Sequence, residues 1–499
     1  MKIFNTENIR QADNITISAQ NLTSYELMER AANEAFLWIK KHFPDKETTF
    51  HVFCGQGNNG GDGLVIARLL HKDHYPVKVD VIEAAGKPSD DFKMALKNLI
   101  ESGIEDNKGD SYSYEKGKLI YIDALFGIGF NRELPEAVKT VIEKINSCEG
   151  YVLSIDTPSG LFMDRPTTIA VKSDYVLTFQ FPKLSFFLPG NSAFVDKIAI
   201  LDIGLDKNFI ANTPTHHYYT DRKEIAHRFR HVKPHAHKGT QGHAFIIGGS
   251  YGKIGAVCLS AKAALKSGCG LVTAYLPKCG YEVIQSYFPE AMAVTDGDTH
   301  IQKISFDGQP KAIGLGPGIG QHPETQQAVL NFLKLQTKPL VIDADALNIL
   351  AQNKEALQYL PENTILTPHP KELERLMGSW NNDFDKLDKM KAFSTRYGVV
   401  LVAKDAHTLI VYRESVYVNA TGNAALATGG SGDCLTGIIT GLLAQGYPPA
   451  DAAIVGVYLH GLTADIGVKE TGTQAFTASD ILHYLGKAYL KIESECRQK

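Results

Sequence analysis

Short apolar runs alternate with amphipathic stretches along the chain, and this alternation predicts the fold before any chemistry is considered. Thr23, with Glu26 three residues on, has the form of a capping box. Met28, Ala31, Ala32, Ala35, Phe36 and Ile39 then recur at helical spacing. Runs at residues 50–54, 77–82, 119–122, 151–155, 175–179 and 197–201 read as strands. Strands separated by helical patterns specify a parallel sheet with helices on its faces. The stretch 211–219 is polar and lacks periodicity, and reads as a domain boundary.

The alternation then restarts. Residues 243–247, 271–275, 312–315, 340–342, 364–366 and 399–404 read as strands, with 409–412 and 416–418 as a hairpin. Helical patterns cover 255–267, 433–444 and 451–464. Two α/β domains, 1–215 and 222–499, are therefore expected. A chain of 499 residues suits this count, since domains run to roughly 100–200 residues.

Composition narrows the class. Apolar residues make up 44% and charged residues 21%, as in folded globular proteins. Lys and Arg total 51 against 55 Asp and Glu, and a net charge of -4 excludes a broad basic footprint and, with it, nucleic acid as the main partner. No apolar run approaches the roughly 18 residues of a membrane span, because Lys262 and Lys266 break the longest one. The N-terminal residues lack an apolar targeting core, so a cytoplasmic protein is expected. Seven cysteines (54, 148, 258, 269, 279, 434 and 496) form no CxxC pair, which fits reduced, mostly buried thiols and argues against a zinc site. His231, His235 and His237, with His227 nearby, lack Cys or paired carboxylates at ligand spacing and read as solvated or polar-lining residues.

Between the strand at 50–54 and a helix expected to start near Leu64 lies Cys54-Gly-Gln-Gly-Asn-Asn-Gly-Gly-Asp-Gly63. Its glycines let the backbone approach a ligand closely, and the helix start adds a positive dipole end, so a phosphate suits the loop. A glycine-rich tight turn is the competing reading. Asp123 and Asp156 fall at the carboxyl ends of two further strands, the edge at which open α/β sheets bind ligands. Capping of a following helix is the competing reading for each. The Asn and Asp oxygens, with a Ser hydroxyl, also suit a hard cation.

Four segments carry a specific resemblance: Asn58-Asn-Gly-Gly-Asp-Gly63, Asp123-Ala-Leu-Phe-Gly127, Asp156-Thr-Pro-Ser-Gly-Leu161 and Thr178-Phe-Gln-Phe-Pro-Lys183. Over residues 10 to 210 the chain resembles the YjeF N-terminal family, the NAD(P)H-hydrate epimerases, which implies a Rossmann-like three-layer domain. By that resemblance Asn58, Asn59, Gly60, Gly61 and Asp62 bind the substrate's phosphates. Asn59, Asp123 and Ser159 coordinate K+. Gly127, Ile128, Gly129, Phe130, Asn131, Arg132 and Glu133 contact substrate, and Asp156 is the catalytic acid/base. Ile128 stands where the family usually has Thr, and Phe162-Met-Asp-Arg-Pro166 replaces an acidic, Gly-containing turn.

In the second half, Asn419-Ala-Thr-Gly-Asn-Ala-Ala-Leu-Ala-Thr-Gly-Gly-Ser-Gly-Asp433 ends where a helix begins. The N–H groups of Gly430, Ser431 and Gly432 would form an anion hole, with Asp433 placed to take a proton from a hydroxyl that receives a phosphoryl group. Walker A spacing is absent, which excludes a P-loop enzyme. Further motifs stand at Gly314-Leu-Gly-Pro-Gly-Ile-Gly320, Asp343-Ala-Asp-Ala-Leu347, Thr367-Pro-His-Pro-Lys-Glu372 and Lys404-Asp-Ala-His-Thr408. Together these resemble the ribokinase-like superfamily and, more closely, the YjeF C-terminal family of ADP- or ATP-dependent NAD(P)H-hydrate dehydratases. The resemblance implies hydrate contacts at Ala256, Gly318, His369 and Asp433, and nucleotide contacts at Lys404, Asp405, Ala406, His407, Thr408 and Gly432. Asp405 replaces a usual Gly and is expected to add negative charge near phosphate.

The function expected is repair of hydrated NADH and NADPH (NADHX and NADPHX): epimerisation of the R and S forms, then dehydration of the S form with ADP or ATP. K+ in the first domain, Mg2+ with the nucleotide in the second and a homo-oligomer are part of this expectation; nucleic acid and membrane are not. The alternative is a ribokinase-like kinase of a small hydroxylated metabolite, fused to a nucleotide-sensing or scaffold domain.

Overall fold

The computed structural model describes all residues except 84–86, 105–117 and 497–499; the side chains of 495 and 496 also lie outside the description, and with them the thiol of Cys496. The chain is α/β throughout and divides into two compact units. One comprises Lys2–Thr215 with Asn382–Phe384, the other Met1, His216–Asn381 and Asp385–Lys499.

The first unit contains strands β1 (Lys2–Ile3), β2 (Thr49–Cys54), β3 (Val77–Val81), β4 (Leu119–Ala124), β5 (Tyr151–Ile155), β6 (Ser173–Phe179) and β7 (Val195–Leu201). Six of them form a parallel sheet in the order β3-β2-β4-β5-β6-β7. Strand alternation sends Phe50 and Val52 to one face, where they pack with Leu64, Ile66 and Leu70 of the helix Asn58–Lys72. Phe53 turns to the other face and joins Val138 and Ile142 of the helix Glu136–Ser147. The three-layer arrangement follows from that two-sided burial. Thr23 and Glu26 form the reciprocal capping box that starts the helix Ser24–His42.

The second unit contains β8 (His217–Thr220), β9 (His243–Ile247), β10 (Leu271–Leu276), β11 (Met292–Thr295), β12 (Ala312–Leu315), β13 (Leu340–Ile342), β14 (Ile365–Leu366), β15 (Val400–Ala403), β16 (Leu409–Tyr412) and β17 (Ser415–Asn419). Their order is β8-β17-β16-β15-β14-β13-β12-β9-β10-β11, antiparallel only at β15–β16 and β16–β17. The stretch read as a boundary therefore contributes β8 to this sheet. Its sequence His-Tyr-Tyr-Thr has no apolar run because the strand is only half-buried. The helices Ile254–Lys266 and Ser431–Ala444 cross closely, since a Cβ at Gly437 would lie 2.1 Å from the Ser260 carbonyl oxygen. Among the described residues no helix is long and apolar enough to cross a membrane. Cys54, Cys258, Cys269 and Cys434 are buried cysteines, with Cys148 and Cys279 half-buried.

Candidate active sites

Parallel strands place their carboxyl ends on one edge of the first sheet, with Cys54 beside Ala124 and Asp123 beside Ser154. A cavity of about 700 Å³ opens there. The helix that follows β2 begins at Asn58, one and a half turns before the expected Leu64, with Gly57 as an N-cap that supplies no side-chain bond. The first-turn N–H groups of Asn58, Asn59 and Gly60 therefore lack helical partners and carry the positive dipole end.

Asn58, Asn59 and Asp62 line the cavity, but Gly60 and Gly61 do not. A Cβ on Gly60 would lie 1.7 Å from the Gly55 carbonyl oxygen, and one on Gly61 would lie 2.7 Å from the Met28 side chain. Packing against backbone therefore requires Gly60, while the neighbour of Gly61 is the flexible end of the Met28 side chain. Gly127, Ile128, Gly129, Phe130, Asn131 and Arg132 line the opposite wall. Glu133 is exposed and lies outside the lining. Ile128 packs into the apolar cluster of Phe4, Ile9 and Leu27. Phe162 stacks on Phe130 at 5.4 Å, and Arg165 donates to the Asn131 carbonyl at 2.5 Å, so the divergent 162–166 segment braces this wall.

Asp123 and Ser159 lie beneath the cavity. The Ser159 hydroxyl donates to Asp123 at 2.5 Å and its N–H at 2.8 Å, while Ser154 donates at 2.7 Å. Burial pushes the Asp123 carboxyl up, and the Ser159 and Ser154 bonds pull it back. Phe126 N–H donates to the Ser159 hydroxyl at 2.8 Å, and the neighbouring Gly127 packs on the Asn59 amide. That amide nitrogen is buried without a hydrogen-bond partner. Turned over, the amide would present an oxygen to the same point.

Asp156 follows β5 in the left-handed conformation, φ 64°, a costly state for a residue with a Cβ. Its carboxylate accepts from the Lys183 ammonium at 2.5 Å and from Phe179 N–H at 3.3 Å. Lys183 is 3% exposed and also donates to the Thr178 hydroxyl at 2.5 Å. Asp13, from the helix Thr6–Gln20, lines the same cavity; burial, then the charge of Asp156, pushes it up to about 7. Burial also lifts Asp62 well above the carboxylate range, reinforced by Asp156 and Asp13. Lys183 ends the segment Thr178-Phe-Gln-Phe-Pro-Lys183 without a role assigned to it from sequence, and Asp13 is not singled out. Lys183 had one available signal, a lone cation in the apolar run between Phe181 and Phe187. Asp13 had none, being one polar residue among many on its helix.

In the second unit, Gly430 (φ 86°) caps the helix Ser431–Ala444 without a side-chain bond. The buried His460 fixes the start of that helix through Nε2, 3.0 Å from the Ser431 carbonyl and 3.1 Å from its hydroxyl. Burial holds His460 down to about 4, so it stands there as a neutral donor. A Cβ at Gly432 would lie 3.4 Å from Lys404 Nζ and 3.7 Å from an Asp343 oxygen. Lys404 donates to Asp343 at 2.9 Å, and the Thr436 hydroxyl donates at 2.6 Å. Asp343 occupies the N-cap position of the helix Ala344–Gln352 but makes no capping bond, its carboxylate being turned to Lys404 and Thr436. Burial, then Asp343, pushes Asp433 up to about 7.

Ala256 and Gly318 are adjacent: a Cβ at Gly318 would stand 3.0 Å from that of Ala256. Asp345 accepts from Gly320 N–H at 3.0 Å and raises Asp433, tying this wall to the helix start. His369 caps the helix Pro370–Met377, its Nδ1 accepting from Lys371 N–H at 3.1 Å. Burial, then the Lys404 charge, holds His369 below its ordinary value, which places it in the field of the same lysine. Along the 404–408 loop, Lys404 and Thr408 are half-buried while Asp405, Ala406 and His407 are exposed. The buried Lys386 stands 3.5 Å from Asp405 and offsets the negative charge expected to trouble a phosphate.

Fold and sites define an α/β protein with a carboxylate-bearing pocket at the sheet edge of its first half and a glycine-capped helix start beside a Lys–Asp pair in its second. The family described as YjeF-related protein N-terminus matches residues 24–185, and that described as NAD(P)H-hydrate dehydratase matches 244–487. The bifunctional NAD(P)H-hydrate repair enzyme of Moorella thermoacetica is 32% identical over 99% of this chain and 98% of its own length. The Escherichia coli enzyme of that name is 31% identical over 97% and 93%. The chain belongs to the family of bifunctional NAD(P)H-hydrate repair enzymes. Among solved structures, the ADP/ATP-dependent NAD(P)H-hydrate dehydratase of Bacillus subtilis is 28% identical, with a TM-score of 0.48, and aligns over 55% of this chain and 98% of its own.

Proposed function

We infer that the chain repairs hydrated NADH and NADPH, the first unit interconverting the R and S epimers and the second dehydrating the S epimer at the expense of ADP or ATP. The observation that carries this reading is the match of both halves, in order and nearly end to end, to relatives bearing that bifunctional name.

In the first unit, the free N–H groups at Asn58–Gly60 and the side chains of Asn58 and Asn59 would anchor the substrate's phosphates. The hydrated ring then lies toward Asp156. Asp156 exchanges a proton near the hydroxylated carbon, Lys183 holds it in place, and Asp13, poised near neutrality, supplies a second proton-exchanging carboxyl in the same cavity. Asn59, Asp123 and Ser159 would hold K+, and the unpartnered Asn59 amide fits that assignment. The ion would offset negative charge from carboxylate and phosphate.

In the second unit, Gly432 and the helix start receive phosphate, and Lys404 neutralises it. Asp433 takes the proton as the substrate hydroxyl accepts the phosphoryl group; a carboxyl raised to about 7 is a stronger base than an ordinary one. Phosphate then leaves more readily than hydroxide would. The mutually repelling carboxylates of Asp343 and Asp433 fit a divalent ion, and Mg2+ held there would neutralise the nucleotide's phosphates. A homo-oligomer in the cytoplasm completes the reading.

The deciding experiment incubates the pure protein with mixed hydrate epimers, with and without ADP or ATP. NAD(P)H recovery that requires nucleotide and proceeds beyond the S fraction supports both activities. No recovery with either nucleotide overturns the reading.

A further inference from the structure

Among the described residues, one group of metal-competent side chains stands outside both sites: His300, His322 and Glu324. Each presents one ligand atom, and all three atoms lie within 4.8 Å of one another. His300 Nε2 is 2.8 Å from Glu324 Oε2, and His322 Nδ1 is 3.9 Å from the same oxygen. Ligand atoms on a tetrahedral zinc ion are roughly 3.3 Å apart, so these separations straddle the one required. The two imidazole centroids are 3.8 Å apart.

Each ligand stands on a braced element. His322 is the N-cap of the helix Pro323–Leu333, and Glu324 lies in its first turn. The capping bond to His322 Nδ1 is 3.4 Å long and yields easily. His300 Nδ1 is 3.2 Å from the Thr299 hydroxyl, an outer hydrogen bond of the kind that orients metal-bound histidines and here leaves Nε2 facing Glu324. The buried Thr325 hydroxyl donates to the Ile301 carbonyl at 2.7 Å and fixes the helix start against the segment that carries His300. The His300 side chain is 19% exposed, but those of His322 and Glu324 are about half exposed, which leaves water access for a fourth ligand.

We propose that His300, His322 and Glu324 bind one divalent ion of the zinc class, with water as the fourth ligand. Two imidazoles and one carboxylate suit Zn2+ or Ni2+ and give Mg2+ too few oxygens. The ion replaces the proton shared between His300 and Glu324 and staples the loop around His300 to the helix start. That loop also accepts from Tyr251 N–H through the Thr299 carbonyl at 2.7 Å, and Gln321, next to His322, donates to Asp345 at 3.2 Å. The staple therefore sits beside the wall that holds Gly318.

The test is calorimetric titration of the metal-stripped full chain with Zn2+, alongside His322→Asn, Glu324→Gln and the control His235→Asn. Asparagine is itself a good N-cap, so His322→Asn removes the ligand and keeps the helix start. Wild type and the control should share one saturable equivalent of Zn2+. Both ligand variants should bind that equivalent at least 10–100-fold more weakly, since loss of even an outer-shell partner costs that much. Mg2+ should not compete. Zinc-soaked crystals should show an anomalous peak between the three side chains. Unchanged stoichiometry and affinity in both ligand variants, or no saturable binding by wild type, overturns the proposal.

Discussion

The Lys183 ammonium lies 2.5 Å from the Asp156 carboxylate at the floor of the first cavity, in a pair almost closed to water. Breaking such a pair by removing one partner strands a buried charge, at a cost of about 3–5 kcal/mol. Lys183→Met should therefore lower the melting temperature. Epimerisation should fall by about 10²–10⁴-fold, the usual scale for losing proton-transfer machinery, and S-epimer dehydration should persist at temperatures where the variant stays folded. Chromatography of both epimers, with and without nucleotide, checks each part.

Asp156→Ala separates chemistry from capping. If the carboxylate moves protons, a mixed pool of hydrates should yield NADH only up to the S fraction and then stall, apart from slow spontaneous epimerisation. A carboxylate that only holds its turn and the Lys183 pair would cost stability on the scale of that pair, about 3–5 kcal/mol, and leave conversion complete.

Potassium should matter to one activity and not the other. Replacing K+ with a bulky organic cation should slow epimerisation, because the buried Asn59 amide and the Asp123 carboxyl would lose the ion between them. Dehydration of the S epimer should proceed equally in both salts. Equal epimerisation rates would remove the ion from the mechanism.

Asp433→Asn should reduce dehydration by about 10²–10⁴-fold while leaving nucleotide affinity nearly intact, because the anion hole is built of backbone N–H groups. More than half of normal turnover would sink the assignment. In the wild type, kcat/KM for dehydration should rise with pH and level off above about 7, where the free enzyme's Asp433 is ionised.

The same shift has a stability consequence. Asp433 and Asp13 titrate near 3.8 when unfolded and at about 7 when folded, so between those values the native state holds more protons than the unfolded one. Stability contributed by these two groups should therefore fall as pH rises from about 4 to 7. Asp433→Asn should melt at a higher temperature than wild type at pH 8, by a gain on the order of 1 kcal/mol or more. Thermal melts of both proteins across that range test the sign.

Much of this architecture was legible because burial on two faces leaves near-continuous apolar strands, as at Phe50–Cys54 and Val400–Ala403. What the sequence hid were elements without such runs: β8, half-buried and polar, and the helix Thr6–Gln20, whose apolar face is narrow. The glycine–aspartate motifs marked both sites because backbone N–H groups and carboxylates are local features. The roles of Lys183, Asp13 and Asp343 were harder to find, although the first and last stand in sequence motifs. Their importance lies in what stands opposite them across the fold, and no local spacing encodes that. Gly60 shows the converse, since a motif glycine can serve the packing of its own loop.

That packing decides how the first site meets a ligand. With Gly60 pressed on the Gly55 carbonyl, the opening turn of the helix Asn58–Lys72 is held against its own loop. If its amides receive the substrate's phosphates as proposed, they are in place beforehand and little ordering entropy is lost on capture. Calorimetry of dinucleotide binding should accordingly give a heat-capacity change that reflects the surface covered in the cavity, with no added contribution from a segment folding around the guest.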